Sequence, residues 1–179
     1  YISTILLFTI TSYQTVAQTD TITILHVNDT HSCLAPLGPR TPSLEGTQGG
    51  ISRAATIIGM TKMTEQNVLT LHGGDVFIGD LFFNEFYGAA EFQLMVAFDA
   101  MAVGNHEFDL TPETLDTALR SSFPPGYGFP LVSSNLILED PAVQPLKDYI
   151  FPYTTKQYGN TKVGIFGLLT PETNLFSLP

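Results

Sequence analysis

Three apolar runs in this chain end alike, on Asp, His, Asn and Gly. Thr21–Val27 leads into Asn28-Asp29-Thr30-His31, Val68–Leu71 into His72-Gly73-Gly74-Asp75, and Ala100–Val103 into Gly104-Asn105-His106-Glu107-Phe108-Asp109. Loops at the carboxyl ends of strands converge outside the sheet in α/β proteins, so groups far apart in sequence meet there. A metal site is the leading reading. Asp29 and His31 flank one residue, and an extended or turning backbone can aim both to one side. A carboxylate with an imidazole suits Mn, Fe, Co or Zn better than Ca. Asp75 follows two glycines that permit a sharp turn. Its oxygens can each hold a cation, and two cations about 3.5–4 Å apart form the usual clamp for displacement at phosphorus. Asn105 offers a neutral amide oxygen where carboxylates already offset the metal charge. Asp109 can orient His106 and fix its tautomer, leaving the imidazole to stabilise phosphoryl oxygens or protonate a leaving oxygen.

Taken singly, each motif has a plainer reading. Asp29 can cap a turn beside a solvated His31, Gly-Gly-Asp can be a turn only, and Asp109 can serve the helix terminus that follows. His26 and His72 are candidates for replacing a missing ligand, with burial or hydrogen bonding behind the site as the favoured role. Arg53 can hold an acidic group or lie on a solvated helix face. Phe77, Phe82, Phe83 and Phe86 can form a stacking surface, with packing as the default. Cys33, the single cysteine, excludes an internal disulfide framework and reads as an incidental loop residue rather than a ligand.

The elements that must position these residues alternate. Thr21–Asn28 reads as a strand, Leu34–Gln48 as a loop broken by Pro36, Pro39, Pro42 and Gly46, and Ile51 to about Gln66 as a helix. Its predicted buried face is Ile51, Ala54, Ala55, Ile58 and Met63. Val68–His72 is a short apolar strand suited to a sheet interior. Ala89 to Phe98 reads as a helix with Phe92, Met95 and Val96 inward, and Ala100–Val103 as the next strand. Thr111-Pro112-Glu113 is a helix start: a capping hydroxyl, a proline at the first position, and an acid at the positive end. That helix should reach about Ser121, with Pro124-Pro125-Gly126 ending the unit. Pro130–Leu136 reads as a strand, and Ile150–Tyr158 with Lys162–Leu169 as a hairpin turning at Gly159-Asn160. The class is α/β, with mixed sheets.

The 179 residues suffice for one core of ordinary size. A formal net charge of -10 argues against a nucleic-acid backbone or an anionic membrane surface as the main partner. It leaves room for a small phosphorylated substrate, because bound divalent cations reverse the local field. Tyr1–Gln18 holds the apolar patch Ile5-Leu6-Leu7-Phe8 and then Thr15-Val16-Ala17, the later part of a secretory signal cut after Ala17 or Gln18; an ordinary N-terminal strand is the alternative. The patch is far shorter than the ~20 residues of a membrane-spanning helix.

Together, Asn28-Asp29-Thr30-His31, Gly74-Asp75 and Gly104-Asn105-His106-Glu107-Phe108-Asp109 resemble, in order and spacing, the calcineurin-like metallophosphoesterases, in particular the secreted 5′-nucleotidase / UDP-sugar hydrolase branch. Leu25-His26-Val27-Asn28-Asp29, Gly49-Gly50-Ile51-Ser52-Arg53 and Val163–Thr173 add to the likeness, which covers the chain from Thr21 onward. The resemblance implies a four-layer α/β/β/α metallophosphoesterase sandwich, incomplete at the C-terminus. Residues 1–18 would be a partial signal peptide and 19–179 the N-terminal portion of the catalytic domain. It implies two divalent metal ions (Zn, Mn or similar), with Asp29 and His31 on the first, Asp75 bridging and Asn105 on the second, and a catalytic dyad of His106 and Asp109. The family's other ligands are three histidines, two of them in a Gly-His-x-His motif; the histidines here are His26, His31, His72 and His106, which matches a truncated site. The expected substrate is a nucleotide or other phosphate ester: a 5′-monophosphate, a cyclic nucleotide or a UDP-sugar. A missing C-terminal domain would hold the nucleoside, and the location would be secreted, periplasmic or cell-surface. Thiosulfohydrolase chemistry on the same fold, or a non-catalytic secreted fragment, are the competing readings.

Overall fold

The structure, a computed structural model, describes residues 21–40, 46–123 and 129–177. The signal-like Tyr1–Gln18 and the Pro124-Pro125-Gly126 stop lie outside the described residues. The elements in chain order are β1 (Thr23–Val27), β2 (Leu37–Arg40), β3 (Gly46–Gln48), α1 (Ile51–Thr64), β4 (Val68–His72), α2 (Leu81–Phe86), α3 (Ala89–Met95), β5 (Ala100–Ala102), α4 (Pro112–Ser122), β6 (Leu131–Val132), β7 (Ile150–Phe151), β8 (Tyr153–Tyr158), β9 (Thr161–Phe166) and α5 (Thr173–Phe176). Among the described residues, five strands form one parallel sheet in the order β1-β4-β5-β6-β7, and β8 pairs with β9 as a separate antiparallel ribbon. The mixed α/β class expected from the sequence is what the chain adopts.

This order has one consequence for chemistry. β1, β4 and β5 are neighbours and parallel, so the loops after Val27, His72 and Ala102 leave the sheet side by side. In β4, Val68, Leu69 and Thr70 are buried, as a central strand covered on both faces requires. The core gathers Phe77, Phe83, Phe92, Met95, Met101, Leu115, Leu119 and Phe123 into one packed cluster. Phe77 meets Phe83 at 5.0 Å and Phe92 at 5.3 Å between ring centroids. Phe77 and Phe83 are therefore packing residues, whereas Phe86 is largely exposed.

Helix α4 starts as its sequence requires: Thr111 Oγ1 accepts the Thr114 N–H at 3.2 Å, with Pro112 in the first turn. Other expectations are corrected. Within α1 only Ile58 is fully buried, and Met63 is 87% exposed. At 100° per residue Met63 stands about 140° from Ile58, so one helix face cannot carry both inward. Helix α3 ends at Met95, which leaves Val96 exposed at its C-cap, while Glu91 takes a buried position on the same helix. The loop 34–48 contains the short pair β2 and β3, joined at Leu37↔Gln48 and Arg40↔Gly46 with an irregularity between them. The expected strand over 130–136 is only Leu131–Val132.

The expected hairpin splits. Ile150–Phe151 joins the parallel sheet beside β6, and Pro152, which has no N–H to offer a ladder, separates it from β8. The β8–β9 ribbon turns at Gly159, whose φ is 54°. It is fastened to the main sheet by Tyr158 Oη, which donates to the Val68 carbonyl at 2.8 Å, and by the ion pair of Lys156 with Asp99. Among the described residues no helix is long and apolar enough to cross a membrane.

Candidate metal centre

The loop after β1 is a short ladder of its own. Asp29, His31 and Ser32 donate their N–H groups to the carbonyls of Gly74, Asp75 and Val76, at 3.0, 3.1 and 2.9 Å. Asp29 and His31 hold φ of 53° and 44°, a region non-glycine residues seldom occupy, and Asp75 does the same at 58°. Such conformations persist where surrounding bonds over-determine them, and they cluster at functional sites. Here the crossing loops supply those bonds.

His31 is oriented by its own ring nitrogen. Its Nδ1 lies 3.1 Å from the Phe77 carbonyl and 3.0 Å from that of Ile78. Both partners only accept, so Nδ1 carries the proton and Nε2 is left with its lone pair outward. That Nε2 stands 3.7 Å from Asp29 Oδ1. The Asp29 carboxyl is held below the usual carboxylate range by its hydrogen bond from Asn28, aided by the His31 and His106 rings and opposed by slight desolvation.

Gly74 and Gly104 permit the next step. Gly74 has φ of 100°, and a Cβ there would lie 2.7 Å from the Gly104 nitrogen; a Cβ on Gly104 would lie 2.2 Å from Asp75 Oδ1. The two strand-end loops thus touch backbone to backbone. Asp75 Oδ1 accepts the His106 N–H at 3.0 Å, which puts Asn105 at the N-terminal end of the turn that carries His106. Ligand atoms of His31, Asp75 and His106 all lie within 4.8 Å of one another. The His31 and His106 rings meet edge to face at 4.8 Å. The His31 imidazole, its tautomer already selected, and the Asp75 carboxylate, both half-buried, are donors that fit a divalent cation.

His106 Nδ1 and Asp109 Oδ2 are 2.5 Å apart, so the imidazole donates to the carboxylate and keeps Nε2 for another partner. The imidazole is held above its usual range. Partial burial acts against the charged form, but the hydrogen bond and charge of Asp109, with Asp75 and Glu107, outweigh it. Asp109 does not cap α4, a role Thr111 fills.

Two groups carry more than the sequence suggested. The Glu107 side chain is buried, and its Oε2 accepts from Gly104 N at 2.6 Å and Asp75 N at 3.1 Å, its Oε1 from Val76 N at 2.8 Å. No local signal reveals the reach to Asp75 and Val76, because those partners lie in another loop. His72 is buried, with Nδ1 accepting from Gly74 N at 3.1 Å and Nε2 3.2 Å from Thr30 Oγ1. Both nitrogens are engaged, so His72 supports the loop from behind, while His26 is exposed on β1. Desolvation pushes His72 down to about 4, with His26 contributing and Asp29 opposing. Among the described residues Arg53 holds no acid; it donates to the carbonyls of Gly49 and Gly46 at 2.8 and 3.0 Å. Cys33 is exposed and lines an apolar cavity of ≈ 350 Å³ beside Leu34, Ile57 and Phe98 instead of joining the cluster.

The family profile described as calcineurin-like phosphoesterase matches residues 22–172. The chain is 36% identical over 163 residues to a snake venom 5′-nucleotidase of Naja atra, covering 88% of this chain and 30% of that one. It is 34% identical to the 5′-nucleotidase of Homo sapiens, covering 88% and 28%. Among solved structures it is similar to a 5′-nucleotidase precursor from Thermus thermophilus, with TM-score 0.72, 36% identity and coverage of 86% and 29%. It is also similar to the NAD nucleotidase of Haemophilus influenzae, with TM-score 0.73, 33% identity and coverage of 88% and 28%. The chain therefore spans under a third of the length of these relatives.

Proposed function

This chain belongs to the calcineurin-like phosphoesterase family, and from that premise we propose that the full-length protein is a metal-dependent hydrolase of nucleotide phosphate esters, similar in activity to a 5′-nucleotidase. What carries the reading is the His106–Asp109 pair, 2.5 Å apart and set against His31 and Asp75 with donor atoms within 4.8 Å. The identity to named 5′-nucleotidases over most of this chain supports the substrate class. Asp29, His31, Asp75 and Asn105 are the residues that would hold two divalent cations, which when bound supply positive charge to the phosphoryl group and to the attacking water.

The chain's own residues do the rest. Asp109 accepts the hydrogen bond of the His106 Nδ1 proton and its charge favours the imidazolium, whose Nε2–H would then donate to a phosphoryl oxygen or to the departing oxygen. Glu107 and His72 hold the backbone of the Asp75 loop, and His31 is kept in one orientation by two carbonyls. Positioning of this kind matters because displacements of about 1 Å at a reacting centre cost roughly a hundredfold in rate.

The test is made on the full-length protein, stripped with a chelator and reloaded with Zn or Mn. It is offered nucleoside 5′-monophosphates, 2′,3′-cyclic nucleotides, UDP-sugars, NAD and a thiosulfate ester. Phosphate release from a 5′-monophosphate should vanish with the metal and return with it. His106→Ala should lower kcat by about 10²- to 10⁴-fold. A folded, metal-loaded protein inert toward all the nucleotides would overturn the reading. Export from the cytoplasm belongs to the same proposal, supported by Tyr1–Gln18 and by a relative named from venom. N-terminal sequencing of the exported protein should begin after Ala17 or Gln18, and an intact N-terminus would refute it.

A further inference from the structure

Ser177 follows Asp109 by 68 residues, yet its hydroxyl oxygen lies 2.6 Å from Asp109 Oδ1 and 2.7 Å from the Asn105 carbonyl. Asp109 is therefore gripped at both oxygens, by His106 on Oδ2 and by Ser177 on Oδ1. Rotation of a carboxylate about its last torsion is broad and soft, so one bond to Oδ2 would let the group swing. The second bond, in the short range of a hydroxyl on a carboxylate, fixes its plane. A serine has a single proton for these two acceptors. The Asn105 carbonyl already takes the Phe108 N–H at 3.0 Å, so Asp109 is the acceptor that gains most from it.

The chain delivers this serine through a series of tethers. Asn135, just beyond β6, donates to the Leu169 carbonyl at 2.7 Å and accepts the Leu169 N–H at 2.9 Å. Thr173 turns back on Thr170 through its hydroxyl at 2.7 Å, and Ser177 N donates to the Thr173 carbonyl at 2.8 Å. The segment is thus tied to the carboxyl end of the parallel sheet, the end that carries His106.

We propose that Ser177 is a positioning residue, acting through Asp109 to hold His106 in its working orientation. The inference rests on the hydrolase reading above. It adds a third member, from a distant part of the chain, to the His106–Asp109 pair. Ser177 touches neither metal nor substrate in this role.

The experiment compares the full-length wild type with Ser177→Ala, Asp109→Asn and the double variant, using a nucleoside 5′-monophosphate and equal amounts of folded protein checked by thermal unfolding. Ser177→Ala should lower kcat about tenfold, the lower end for partners one shell out, and leave KM within about twofold. In the Asp109→Asn background the same change should cost less than about twofold, because groups acting as one unit are not additive. An unchanged kcat, or an equal loss in both backgrounds, overturns the inference while the hydrolase reading stands. Should Asp109→Asn itself leave kcat intact, the dyad assignment falls first. The inference is then judged by the downfield resonance of the His106 Nδ1 proton, which must shift in Ser177→Ala and is refuted if it does not.

Discussion

The Asp75 backbone N–H donates to Glu107 Oε2 at 3.1 Å, across 32 residues of sequence. The loop that carries the central carboxylate of the site thus hangs on a buried acid from another strand end. Burial pushes the Glu107 carboxyl up, and the Asp75 charge adds to the rise, against N–H bonds from Gly104, Val76 and Asp75.

Glu107→Ala removes the acceptor for the buried Val76 N–H and for the partly buried N–H groups of Gly104 and Asp75. Each donor left unpaired costs about 1–3 kcal/mol. The expected outcome is a loss of roughly 3 kcal/mol or more in urea unfolding, together with weaker metal binding by calorimetry. An unchanged unfolding midpoint would show that Glu107 does not hold the loop.

Gly104→Ala tests the contact between the loops without removing a polar group. Its Cβ would meet Asp75 Oδ1 at 2.2 Å and Asp75 N at 2.7 Å, and backbone cannot yield as a flexible side chain does. Asp75 must shift, so metal affinity should drop about 10- to 100-fold, in the range found when the support of a ligand is disturbed. A metal titration matching wild type would contradict this.

His72 gives a pH signature. Its folded value is about 4 against an ordinary 6.5, so between these pH values the unfolded chain binds the extra proton. Stability from this group is complete above about pH 6.5 and is lost as pH falls toward 4, up to about 3 kcal/mol. The charged or titratable neighbours are His26 on β1 and Asp29 beyond it, and the rise of Glu107 slopes the other way. The comparison is therefore with His72→Gln: its stability should vary less with pH over that window than the wild type's, by chemical denaturation at stepped pH. Parallel curves would refute it.

Tyr158→Phe leaves the Val68 carbonyl without its 2.8 Å hydroxyl donor. The predicted cost is about 1 kcal/mol of stability. Val68 opens β4 and the metal cluster gathers beyond its other end, so kcat in the full-length protein should stay within about twofold. A large drop in kcat at unchanged stability would show coupling from ribbon to site that this geometry does not provide.

Features that are local were legible in the amino-acid sequence. An apolar run ending on Asp, His or Asn announces a strand and its loop, because side-chain burial and turn chemistry are decided within a few residues. Val68–His72 and the Thr111-Pro112 helix start are of this kind. So is the placing of Asp29, His31, Asp75, Asn105, His106 and Asp109 just beyond strand ends. The folded arrangement set which strands are neighbours, that Ile150–Phe151 joins the parallel sheet ahead of Pro152, and that Met63 and Val96 face solvent. It alone brought Glu107 beneath Asp75 and Ser177 onto Asp109. Those contacts join residues tens of positions apart, and a hydrogen bond between such partners leaves no periodicity or spacing in the chain from which to read it.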